Sequence, residues 1–171
     1  MYKINRLHIY LILLACLLLH LTVLDYAKLF GARPDLMLIA VVFFSLFLGW
    51  KRGLESGVAA GLMQDILAFN LFWVNTFVLG TTGFLVGILN AKLFKESKAT
   101  QVSLVFFFTI FSMALRFLLT ALFAKSVKIT FSEYFITSIF LTATYTALIS
   151  MLIFSAFINF YDLREESETF L

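Results

Sequence analysis

The run QVSLVFFFTIFSMALRFLLTALF, residues 101–123, decides the fold: its single charge is Arg116, and it holds neither proline nor glycine. An α-helix rises about 1.5 Å per residue, so such a run covers about 35 Å, enough to cross a hydrocarbon core of about 30 Å. Working outward, five more apolar stretches lie at about 7–27, 35–50, 53–69, 72–91 and 133–159. Over all 171 residues, 62% are hydrophobic and 13% charged. Soluble domains average roughly 45–50% and about 25%. A globule of this size has too little interior to hide so much Leu, Phe and Ile. Disorder, a disulfide-stapled secreted fold and a nucleic-acid module are all excluded. The expected class is an all-α integral membrane protein, a six-transmembrane-helix bundle forming one polytopic domain over residues 1–171.

The first, fourth, fifth and sixth stretches are long enough to span alone. The second and third are short and joined by a tight Trp50-Lys51-Arg52 corner. A hairpin stopping mid-membrane would leave Lys51 and Arg52 in hydrocarbon, at about 2.5–3.5 kcal/mol each. Six crossings follow. With the N-terminus inside, the cytoplasmic side carries Lys3, Arg6, Lys51, Arg52, Lys92, Lys95, Lys98 and Arg164, and the outer side Lys28, Arg33, Lys125 and Lys128. That bias sets both ends in the cytoplasm. Trp50 and Trp73 fall at span ends, where indole rings favour the interface. Residues 162–171 read as a short acidic cytoplasmic tail. The net charge of +3 resides in loops and signals topology, with no nucleic-acid partner implied.

Chemistry is sparse. Cys16 has no internal disulfide partner, and His8 and His20 complete no metal site with it. The apolar run continues past Cys16, which argues against lipidation, and no small-x-small cleavage site follows it, which argues against a cleaved signal. An intramembrane serine protease needs serine and histidine on facing helices, whereas both histidines here share one span. An aspartyl protease pairs Tyr-Asp with Gly-x-Gly-Asp; Tyr161-Asp162 sits at the cytoplasmic edge and Met63-Gln64-Asp65 lacks the glycine. No phosphate loop, dinucleotide fingerprint or zinc motif is present, so neither catalysis nor a cofactor is expected.

The residues that interrupt the apolar pattern are glycines and a few polar groups. Gly53, Gly57 and Gly61 step by four along the third span, and Asp65 continues the register; the fourth carries Gly80, Gly83 and Gly87. Residues four apart share a helical face, and small-residue faces let backbones approach closely in lipid. The stripes serve packing within the chain or docking of another protein's helix. Asp65 and Arg116 read as intramembrane charges at comparable depth, which predicts a contact between them, direct or through water. His20, Asn75, Thr76, Thr142 and Thr144 lie at similar depth. They either line a small outward cavity or, for the threonines, bond to carbonyls of their own helices.

From Arg33 to Leu93 the chain resembles the rod shape-determining protein MreD family. Three features carry this: Arg33-Pro34-Asp35-Leu36 opening an apolar helix with proline in its first turn, Lys51-Arg52-Gly53 leading into the stripe that ends at Asp65, and Asn75 before Gly80, Gly83 and Gly87. The family's turn after the aspartate is usually rich in Ser, Gly and Pro; here it is Ile66-Leu67-Ala68-Phe69-Asn70-Leu71-Phe72. The resemblance implies a non-enzymatic component of the bacterial cell-elongation machinery in the inner membrane. It implies association with the single-span protein MreC, and through it with MreB filaments, the polymerase RodA and a penicillin-binding transpeptidase. It further implies a fold like the substrate-binding subunits of energy-coupling-factor transporters. A scaffold that controls cell shape and peptidoglycan synthesis is the first expectation, and a small-molecule-binding transporter subunit the alternative.

Overall fold

The computed structural model of the chain describes residues 6–22, 33–68, 73–90, 97–123 and 133–161, and it is all-helical. Six helices follow in order: α1 Arg6–Thr22, α2 Leu36–Leu48, α3 Trp50–Ala68, α4 Val74–Leu89, α5 Lys98–Phe123 and α6 Glu133–Tyr161. Each falls on one of the apolar stretches. α5, and Ile139–Phe157 within α6, are individually long and apolar enough to cross a membrane; α1, α2 and α4 are shorter apolar helices. The turn at 69–72, Lys92 and Lys95, Lys28, Lys125, Lys128 and the acidic tail all lie outside the described residues.

α2 is the axis of the bundle. Asp35 starts it: the side-chain Oδ1 accepts the Leu38 N–H at 3.0 Å, satisfying one of the donors a helix start leaves free. Pro34 therefore stands one residue before the cap, not in the first turn as the sequence suggested. Every side chain from Leu36 to Phe47 is buried, and α1, α3, α4, α5 and α6 all pack on the helix. Its 13 residues rise only about 20 Å. Because the other five helices enclose it, α2 presents almost no side chain to the outer surface. Phe43 meets Phe154 and Phe157 of α6 at ring-centroid distances of 5.3 and 4.9 Å, in the range where aromatic pairs attract.

The corner after α2 is Gly49 alone, with Trp50, Lys51 and Arg52 already helical. Gly49 has φ +84°, a left-handed conformation that a Cβ disfavours. Its N–H donates to the Ser45 carbonyl at 3.1 Å, and its own carbonyl accepts the Gly53 N–H at 2.8 Å, so one residue ends α2 and begins α3.

α3 and α4 form the closest pair. A Cβ added at Gly53 would strike the Gly83 carbonyl; at Gly57, the Leu79 carbonyl; at Gly61, the Thr76 Cα; and at Gly87, the Trp50 Cα. The two glycine stripes thus face each other. Gly80 differs, with the Val58 methyl 3.1 Å away, and it floors an apolar groove between Leu54, Val58, Phe77 and Phe84. Across the molecule the core is largely apolar, yet small polar residues share it and many large apolar side chains also stand on the outside. Ser45, Ser56, Thr82, Gln101, Ser112 and Ser150 are buried, whereas Leu11, Ile66, Phe107, Leu122, Leu148 and Leu152 are exposed. An outer surface of this kind suits lipid.

Candidate functional site

Polar groups collect at the end of the bundle where α3 finishes and α4 begins. The α4 N-cap position is Trp73, whose side chain makes no capping bond. Asp65, only 1% exposed, caps the helix from α3 instead. Its Oδ1 accepts the Asn75 N–H at 3.1 Å, and its Oδ2 accepts the Thr76 N–H at 2.8 Å and the Thr76 hydroxyl at 2.6 Å. A carboxylate here meets free donors and the positive end of the α4 dipole. The glycine stripe is what allows it, because Gly61 brings the α4 start within reach.

Arg116 makes its direct bond to Asp35 and not to Asp65, the partner expected from depth. Its Nη2 donates to Asp35 Oδ2 at 3.1 Å, in a pair whose side chains are 29% and 12% exposed. Depth placed Arg116 in the right layer, but that layer holds two carboxylates. Asp65 is already satisfied by α4, leaving Asp35 with an oxygen to offer. The Asp35 N–H in turn donates to the Thr146 hydroxyl of α6 at 3.2 Å. Thr146 was not among the polar residues singled out from the sequence, and nothing in its spacing marks it.

Beside this pair lies a cavity of about 470 Å³, walled by residues of all six helices together with Arg33 and Pro34. His20, Gln64, Asn75, Arg116 and Thr142 supply polar lining. Of the five polar residues grouped from the sequence, His20, Asn75 and Thr142 line the cavity. Thr76 turns to Asp65, and the Thr144 hydroxyl donates to the Phe140 carbonyl of its own helix at 2.8 Å. Two buried nitrogens, His20 Nδ1 and Arg116 Nε, have no hydrogen-bond partner among the described residues. No group of three or more His, Cys, Asp or Glu there is placed to hold a metal ion.

The opposite end carries a charged cluster that spacing did not reveal. Glu55 accepts the Tyr10 hydroxyl of α1 at 2.8 Å and Arg52 Nη1 at 3.1 Å, with Arg6 Nε at 3.6 Å. Lys51 Nζ sits 5.4 Å from the Trp50 ring centroid, a cation–π distance. Arg6, Arg52 and Lys51 therefore share one end, and Arg33 and Asp35 the other.

The family model described as rod shape-determining protein MreD matches residues 1–163. No curated protein and no solved structure matches the chain significantly.

Proposed function

Because the chain belongs to the MreD family of rod shape-determining membrane proteins, we propose that it is a non-enzymatic scaffold of the bacterial cell-elongation complex. In this reading the six helices cross the inner membrane with both termini in the cytoplasm. The protein helps control cell shape and peptidoglycan synthesis by holding an MreC-like single-span protein, and through it MreB, RodA and a penicillin-binding transpeptidase.

The observation that carries this reading is the apolar outer surface, where Leu11, Phe107, Leu122 and Leu152 stand exposed around a core that is itself largely apolar. Contacts with other proteins must then be made largely through helix faces in lipid, where packing of small and apolar residues drives association. The glycine stripes are consumed between α3 and α4, so they leave the partner the groove floored by Gly80. Lys98 is exposed at the start of α5, and the basic sequence run Lys92, Lys95, Lys98 suits acidic partners or anionic headgroups.

Co-purification in mild detergent tests the reading. The wild-type chain retains an MreC-like partner, and Gly80→Leu, which fills the groove, loses it while remaining folded. Retention by Gly80→Leu would move the interface elsewhere, and recovery of a transporter coupling protein in place of an MreC-like one would favour the energy-coupling-factor alternative. Changing Lys92, Lys95 and Lys98 together to Gln weakens recruitment; unchanged recruitment and insertion would remove the basic loop from the account.

A further inference from the structure

We propose that the cavity beside the Asp35–Arg116 pair binds a phosphate ester, carried either by a small soluble molecule or by a lipid headgroup. This goes beyond the scaffold role and does not depend on it.

The sign of the ligand follows from an inventory of donors and acceptors. Asp35 is the one carboxylate in the lining among the described residues, and each of its oxygens accepts a bond, Oδ1 from the Leu38 N–H and Oδ2 from Arg116. Each oxygen already faces a donor, and no second carboxylate joins it among the described lining residues to help hold a cation. Donors are in surplus. A guanidinium carries five N–H groups; Arg116 gives one to Asp35, and its Nε has no partner among the described residues. The lining therefore offers guanidinium N–H groups of Arg116 beyond the one donated to Asp35.

The shape of the ligand follows from where the donors sit. His20 comes from α1, Gln64 from α3, Asn75 from α4, Arg116 from α5 and Thr142 from α6. Groups converging from five directions suit a tetrahedral anion with three peripheral oxygens better than a planar carboxylate with two. Arginine is well matched to phosphate geometry. The volume of about 470 Å³ lies within the roughly 300–1,000 Å³ of small-molecule sites and exceeds what inorganic phosphate alone would fill. The remaining space is for the esterified group, against apolar Leu17, Leu38, Leu67 and Met113.

The test is thermal unfolding of the full chain in detergent with four probes: sn-glycerol 3-phosphate, dioleoyl phosphatidic acid, and their neutral counterparts glycerol and dioleoylglycerol. At least one phosphate-bearing probe raises the Tm by several degrees and neither neutral probe does. A shift with glycerol 3-phosphate identifies a soluble ligand, and a shift with phosphatidic acid alone a headgroup. Arg116→Lys keeps the charge opposite Asp35 but loses donors, and weakens apparent binding about tenfold. Gln64→Leu with Asn75→Leu leaves the ion pair and the backbone cap on Asp65 in place, and abolishes the shift. The proposal fails if neither phosphate probe moves the Tm of the wild-type chain. It fails equally if the shift persists undiminished in both variants, which would put binding elsewhere. Loss of an MreC-like partner with the shift retained would instead count against the scaffold reading alone.

Discussion

Asp65 holds three hydrogen bonds on two oxygens, and its removal strands three donors at the start of α4. Asp65→Ala should cost about 2–3 kcal/mol, the sum of a lost cap and of buried donors left unpaired. Thr76→Val removes one hydroxyl, keeps both backbone donors satisfied, and should cost about 1 kcal/mol; thermal unfolding in detergent reads both. For Asp35 and Arg116 the expected result is non-additive. Each single change to Ala strands a part-buried charge, whereas the double change strands none, so a double-mutant cycle should give a coupling of about 1–3 kcal/mol. Sequence alone identified both carboxylates as notable but expected Arg116 at Asp65, whereas its direct bond is to Asp35. Hydropathy reports depth along a helix and carries no information on rotation about it, and the choice between two acids in one layer is made by rotation. The vacancy at Trp73, where no side chain caps α4, is the signal that could have claimed Asp65 first.

Between elements, the glycines separate into two kinds. Gly57→Ala places a methyl against the Leu79 carbonyl, where only backbone can yield. It should cost about 2–3 kcal/mol net of the gain in helix propensity, through separation of α3 from α4. Gly80→Ala meets a Val58 methyl at 3.1 Å as its tightest contact, with the next neighbours at 3.9 Å, and should stay within about 1 kcal/mol of neutral. Unfolding of the two variants side by side checks the contrast, and equal costs would contradict the packing described. Helix positions were readable from the apolar runs because each run is interrupted by charge or glycine. The α2–α3 corner was displaced onto Trp50-Lys51-Arg52 because basic residues look like a loop. They are instead the exposed first turn of α3, made possible by the positive φ of Gly49. The centrality of α2 was not readable at all: a helix apolar on every side is equally suited to a protein core and to lipid.

For the whole molecule, the order of burial predicts the order of opening. Amides of α2, enclosed by the other five helices, should exchange with deuterium most slowly, and those of α1, whose Leu7, Leu11 and Leu18 are exposed, faster. The proposed orientation has its own check in a Cys16→Ala background. Lys51→Cys should react with a membrane-impermeant maleimide only after permeabilisation, and Trp73→Cys from outside the cell; the reverse pattern would invert the molecule. The two buried acids also differ in when the growing chain can satisfy them. Asp65 finds its donors 10 and 11 residues further on, within the same hairpin, so α3 and α4 can leave the translocon together with that charge already sheltered. Asp35 waits 81 residues for its arginine and 111 for the hydroxyl of Thr146. A nascent chain halted before α5 therefore carries at the head of its central helix an acid held only by the Leu38 N–H, its countercharge still to be made.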